Sequence, residues 1–396
     1  MRRTDDAVAR LLHGIAEAQL MRQRRRVEGF ARADRLTRVI VGGRELVNFC
    51  SNDYLGLARD PRLGEAMAQA AREWGAGSGA AHLVTGHTAV HHALEERLAA
   101  FTRREAALLF STGYMANLGV VTSFAGRGET VVQDRLNHAS LLDGAQLAGA
   151  RLIRYAHADA TAAARALEEA GENAALLATD GVFSMDGDVA PAAALARTAR
   201  VHGVWLLLDD AHGLGVTGAT GRGTLEEAGL GAAEVPLLVG TLGKAFGCCG
   251  AFVAGDRDLV EFVLQRARSY IYTTALPPGA AAAAHAALDI AERESWRREH
   301  LAQLIARFRA GAAQLGLPLG ASRTPVQPLI VGETARCLAA SDALRERGFW
   351  VAAIRRPTVP PGTERLRITL TAAHDDDEVD ALLESLAAVL PAGSRT

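Results

Sequence analysis

The segment GTLGKAFG, Gly240–Gly247, carries Lys244, the only lysine among the 43 lysine and arginine side chains of this 396-residue chain. Arginine stays protonated, whereas an amine in a partly buried, electropositive pocket can lose its proton and attack an aldehyde. Lys244 is thus either a Schiff-base amine or a survivor of a bias toward arginine. Other polar groups follow apolar runs in the same manner. Ser111-Thr112-Gly113-Tyr114 succeeds AALLF (106–110) where a helix starts, and free N–H groups with the helix dipole favour a phosphate there. Asn137-His138 follows TVVQD (130–134), and an imidazole in that place can stack on a ring or exchange protons. Ser184 follows AALLATDGVF (174–183). VWLLLDD (204–210) ends in Asp209-Asp210 with His212 just beyond, and a carboxylate ending a buried strand needs a cation such as a protonated ring nitrogen. Thr241 stands three residues before Lys244, which has glycines on both sides that permit close backbone approach. Plainer readings compete: a strand-to-helix turn, a solvated loop histidine, turn chemistry at Ser184, an N-cap or an ion pair at the acids. Taken together, a phosphate cradle, a stacking histidine, an acid and an amine are the complements of pyridoxal 5'-phosphate.

These groups need a scaffold that brings strand ends together. The apolar runs 106–110, 130–134, 151–157, 174–183, 204–210, 237–243 and 250–255 alternate with amphipathic helical stretches. Runs apolar on both faces imply an α/β fold with a mainly parallel seven-stranded sheet covered by helices, whose ligands bind at the strands' carboxyl ends. After an Ala-rich helical stretch around 278–315, the runs 326–332, 349–357 and 365–373 suggest a smaller C-terminal α+β domain. Residues 5 to 27 have helical periodicity. The expected division is an N-terminal helical arm (1–47), a large domain (48–285) and a small domain (286–396).

Composition removes several function classes. A net charge of −2 with mixed signs gives no nucleic-acid or membrane-surface footprint. No apolar segment has membrane-spanning length, and the N-terminus has acidic residues and no uninterrupted apolar core, so a cytoplasmic protein is expected. Cys50, Cys248, Cys249 and Cys337 show no metal-ligand spacing, and no metal is expected.

The stretches NFCSNDYLGL, LLFSTGYMAN, DRLNHASLLDG, GVFSMDGDVAP, LLLDDAHGLGVTGATGRG, GTLGKAFG and IRRPTVPPGTERLRITLTAAH resemble those of the α-oxoamine synthases, fold-type I enzymes dependent on pyridoxal phosphate. The resemblance covers nearly the whole chain. It implies that Lys244 holds the cofactor aldehyde, Asp209 pairs with the pyridine nitrogen and His138 stacks on the ring. It places Ser184 and His212 near the ring hydroxyl, and Thr241, Gly113 and Tyr114 at the phosphate. Catalytic roles fall to Lys244, His138, Asp209 and His212. Arg367 would clamp an amino-acid carboxylate, with His138, Thr358 and Arg22 also at substrate. A homodimer with interfacial active sites is implied, Thr273 or Thr274 reaching the neighbouring phosphate. Within the family, IRRPTVPPGT and DDAHGLGVTG favour L-alanine and a pimeloyl thioester as substrates, with Arg355, Arg356 or Arg22 meeting the distal carboxylate. Other amino acids and acyl donors of the family, or a catalytically silent subunit, are the alternatives. The chain departs from the family pattern at Ala81, His87 and Arg356.

Overall fold

The computed structural model describes residues 5–31 and 36–390. Its chain forms two compact units, one of Asn52–Ser184 and Asp188–His300, the other of Met1–Ser51, Met185–Gly187 and Leu301–Thr396.

In the larger unit every run expected as a strand is one. The sheet contains β1 (Ala106–Phe110), β2 (Thr130–Asp134), β3 (Arg151–Tyr155), β4 (Ala174–Asp180), β5 (Trp205–Asp209), β6 (Leu237–Thr241) and β7 (Ala251–Gly255). The spatial order is β1-β7-β6-β5-β4-β2-β3, and β7 runs antiparallel to both of its neighbours while the remaining pairs are parallel. Successive side chains of a strand point to opposite faces. Leu207, Leu237, Val239, Leu176 and Ala178 accordingly join one apolar cluster, and Leu206, Leu208, Leu238 and Leu177 join another. Burial on both faces explains why these strands read as unbroken apolar runs.

Two short helices continue the strand ends that matter here. Helix α1 (Gly113–Phe124) follows β1, capped by Thr112, whose Oγ1 accepts from the Met115 N–H at 3.2 Å. Helix α2 (Ala139–Ala148) follows β2 with His138 at its N-cap. The loop after β6 is pinned by backbone bonds from Gly247 N to Lys244 O (2.9 Å) and from Cys248 N to Leu242 O (2.8 Å). Gly247 has φ +64°, and a Cβ there would lie 2.3 Å from the Ala58 nitrogen, so only glycine fits. On the other side of Lys244 the crowding is absent, since a Cβ on Gly243 would meet its neighbours at ordinary contact distance, 3.5 Å.

In the smaller unit, Val326–Ile330, Arg365–Thr369 and Ala352–Ile354 form a three-stranded antiparallel sheet, accompanied by helices Thr334–Glu346 and Asp376–Val389. The N-terminal helix spans Asp5–Glu17 and is shorter than the periodicity through residue 27 predicts, because Gln19 takes a left-handed φ of 57°. Beyond it, Gly29–Phe30, Arg38–Val41 and Arg44–Asn48 form an antiparallel ribbon that Phe349–Trp350 extends in parallel. The hairpin turn is Gly42-Gly43, both at positive φ, which suits the right-handed twist of the flanking strands. The helical stretch expected at 278–315 is two helices, Pro278–Arg293 and Trp296–Gln314. No helix among the described residues is long and apolar enough to cross a membrane.

Candidate active site

The carboxyl ends of β4, β5 and β6 open on a cavity of about 190 Å³, closed at its sides by the starts of α1 and α2. Eight sequence-selected residues line it: Gly113, Tyr114, His138, Ser184, Asp209, His212, Thr241 and Lys244. They lie on five separate chain segments, and the parallel strand order brings them together.

Strand alternation separates the paired acids. Asp209 lines the cavity, whereas Asp210 is fully buried beside it and accepts from the Thr224 N–H at 2.7 Å. Asp209 uses both oxygens as acceptors, Oδ2 from Asn117 Nδ2 at 2.6 Å and Oδ1 from the Ala211 N–H at 3.0 Å, as an ionised carboxylate does. Next to it, opposite in register, Asp180 ends β4. Burial, reinforced by the charge of Asp209, holds the Asp180 carboxyl well above the usual range.

The Asn117 amide also donates to Ser140 Oγ at 2.9 Å, and Ser140 Oγ lies 2.7 Å from His138 Nδ1. With that Oγ already accepting, its own proton goes to Nδ1, which also accepts from the Ser140 N–H at 3.3 Å. This assigns His138 as neutral imidazole with its proton on Nε2. Burial lowers the His138 pKa, the Asp209 charge opposing and the Lys244 charge assisting. Its backbone is fixed as well, the His138 N–H donating to Asp180 Oδ2 at 3.0 Å. The Tyr114 ring meets the imidazole edge-on, with centroids 6.3 Å apart.

His212 is oriented by Tyr54, whose hydroxyl lies 2.6 Å from Nδ1 and whose side chain is fully buried. Thr241 Oγ1 donates to Gly250 O at 3.2 Å and accepts from the Gly243 N–H at 3.2 Å, tying the strand end to the lysine loop. Gly113 and Tyr114 supply the first amides of α1, which have no carbonyl one turn back and point the helix dipole into the cavity.

Sequence reading missed Asn117, Ser140, Asp180 and Tyr54. Asn117 and Ser140 lie inside helices, where nothing in their spacing marks them, and Asp180 is hidden within the run read as strand through residue 183. Arg22, Thr358 and Arg367 belong to the smaller unit and are not among the residues lining the cavity. Arg22 and Thr358 are exposed, while Arg367 is buried and donates to Thr369 Oγ1 at 3.0 Å. Arg355 donates to the carbonyls of Gln19 (3.0 Å) and Met21 (2.8 Å), so its guanidinium braces the segment carrying Arg22.

The cavity fits pyridoxal phosphate on its own chemistry. An amine, a carboxylate and an imidazole line one cavity, and a helix start supplies anion-binding amides. Asn117 Oδ1 and Asp180 Oδ1 are buried there without a partner, at a cost of about 1–3 kcal/mol each unless a ligand meets them.

Comparison with known proteins agrees. The aminotransferase class I and II family model matches residues 44–386. The 8-amino-7-oxononanoate synthase of Methylococcus capsulatus is 61% identical over 355 residues, covering 90% of this chain and 92% of that protein. Serine palmitoyltransferase of Sphingomonas wittichii superposes with a TM-score of 0.89 at 31% identity, covering 97% of this chain and 96% of that one. The S. paucimobilis serine palmitoyltransferase with a bound pyridoxal-phosphate–myriocin adduct gives a TM-score of 0.90 at 28% identity and covers 97% and 96%. The chain therefore belongs to the aminotransferase class I and II family and, within it, to the α-oxoamine synthases, on the branch of the 8-amino-7-oxononanoate synthases.

Proposed function

We propose that the chain condenses L-alanine with a pimeloyl thioester, releasing carbon dioxide and the free thiol and forming 8-amino-7-oxononanoate for biotin biosynthesis, with pyridoxal phosphate as cofactor. The observation that carries this reading is the gathering of Lys244, Asp209, His138 and the α1 amides in one cavity, in a chain 61% identical to a synthase of that name. When bound, pyridoxal phosphate supplies an aldehyde for an amine and a protonated ring that accepts the electron pair left at a deprotonated carbon.

The residues divide the remaining work. The first amides of α1, at Gly113 and Tyr114, hold the phosphate with Thr241. Asp209, kept acceptor-only by Asn117 and Ala211, holds a proton on the ring nitrogen. His138 would stand against the ring, and Ser184 and His212 would serve its hydroxyl. Lys244 would hold the aldehyde carbon, and its amine, when free, is the group that would take the Cα proton of L-alanine. That carbon then attacks the thioester carbonyl and the thiolate leaves. The Nε2–H of His138 is the donor that polarises this carbonyl. Loss of the alanine carboxylate as carbon dioxide and a proton returned to carbon complete the turnover. Arg367 takes the alanine carboxylate, with Arg22 and Thr358 on the substrate side. A homodimer in the cytoplasm completes the reading.

The test is a matrix of L-alanine, glycine and L-serine against pimeloyl, acetyl, succinyl and palmitoyl thioesters. Alanine with pimeloyl is expected to exceed every other pair at least about tenfold in kcat/KM, a margin of about 1.4 kcal/mol. Preference for serine with palmitoyl, or glycine with succinyl or acetyl, would reassign the substrate while leaving the cofactor site in place.

The state of His138 has its own consequence. A pKa below the ordinary 6.5 means that the neutral imidazole persists as pH falls through that value. Turnover is therefore expected to hold down to pH 6.5 and to fall only at more acidic pH. An acidic limb centred above 6.5 that vanishes in His138→Gln would contradict this assignment.

A further inference from the structure

A second group of chemically active side chains lies apart from the cavity, on the segment leading into helix Ala89–Thr102. His87 precedes the helix, and His92 and Glu95 lie three residues apart on it, one turn along the same face. One donor atom from each lies within 4.8 Å of the other two. None of the three lines the cavity, and its chemistry makes no use of them.

We propose that His87, His92 and Glu95 form a binding site for a divalent cation of borderline softness, zinc in the first instance. Two imidazoles and one carboxylate suit zinc, and three protein ligands leave a fourth position for water. Ligand atoms about 2.0–2.1 Å from a tetrahedral zinc lie about 3.3 Å from one another. His87 Nε2 and Glu95 Oε2 are 3.8 Å apart, so a small inward turn of the exposed His92 closes the set.

The neighbours already orient the donors. His87 Nδ1 lies 3.0 Å from Nδ1 of the buried His82, and when it donates there the Nε2 lone pair is left facing Glu95. Glu95 Oε1 accepts from the Leu109 N–H at 2.9 Å, which anchors the carboxylate and leaves Oε2 toward His87. Lone pair and carboxylate oxygen facing each other is an arrangement that a cation between them satisfies. His91 does not take part, because its Nε2 meets Leu276 O at 2.7 Å and its Nδ1 meets Thr88 Oγ1 at 2.8 Å. A bound ion would tie the loop before the helix to the helix's second turn.

The experiment uses untagged holoenzyme stripped with a chelator, then given Zn²⁺ alone and passed through gel filtration before elemental analysis. One zinc per chain is expected to be retained. His92→Ala, at an exposed position, and Glu95→Gln, which keeps the acceptor for Leu109, are each expected to retain less than about a tenth of that. His13→Ala, at an exposed histidine of another helix, serves as the control and keeps full occupancy. Co²⁺ substituted for zinc is expected to show tetrahedral visible bands that are lost in His92→Ala. Wild-type protein that retains no zinc, or His92→Ala that retains as much as wild type, overturns the site. Neither readout depends on turnover, so the result stands apart from the catalytic reading.

Discussion

Lys244→Arg lowers turnover by at least about 10³-fold while leaving the fold intact, because guanidinium neither holds an aldehyde carbon nor gives up a proton at working pH. The substitution preserves charge and approximate reach. The loop is fixed by its backbone, through Gly247, Cys248 and the close approach to Ala58. Thermal unfolding is therefore expected to stay near wild type, and the visible absorbance of the purified protein to change. Steady-state rates and an absorption spectrum of the same sample check both halves. Activity within tenfold of wild type would return Lys244 to the status of an accidental survivor in an arginine-rich chain.

Asp209→Asn is expected to cost about 10²–10³-fold in kcat, the range seen when an aimed electrostatic partner is removed from a buried site. The loss has two sources. A neutral amide no longer holds a proton on the cofactor ring. It also presents a donor where Asn117 and the Ala211 N–H already donate, so one buried donor loses its partner at a cost of about 1–3 kcal/mol. Asp210→Asn separates position from residue type, since Asp210 stands one residue on, away from the cavity, and serves the start of Thr224–Glu227. Its variant is expected to lose stability in denaturant titration and keep kcat per folded molecule within a few-fold. Equal loss of kcat in both variants would mean that the strand-end carboxylate acts on the fold and not on the cofactor.

The sheet was legible because burial on both faces makes its strands unbroken apolar runs, and all seven fall where those runs lie. The cavity was legible for a related reason: the runs of β1, β2, β4, β5 and β6 are followed within a few residues by polar groups, and these strands, which share one direction, bring those ends to one edge. The ribbon at residues 29–48 was less so, its strands being short and mixed with charge, although Gly42-Gly43 is a hairpin signal in its own right. Asn117 and Ser140 could not be found from the sequence. They act by reaching between α1, α2 and β5, a relation that spacing along the chain does not encode. Asp180 lies one strand from Asp209, and only the register of β4 against β5 puts the two acids side by side. The histidines at 87 and 92 escaped for another reason: their common donor is a glutamate, so a search for cysteine and histidine spacing passes over them.

Borohydride reduction of the holoenzyme, followed by peptide mass mapping, tests the central claim most directly. With a single lysine in the chain, two kinds of amine compete for the cofactor aldehyde, the Lys244 side chain and the chain's own α-amino group. One pyridoxyl group per chain on the peptide containing Gly240–Gly247, and none in Lys244→Arg, is the expected result. A label on the N-terminal peptide, or no covalent label in a protein that still turns over, would contradict it.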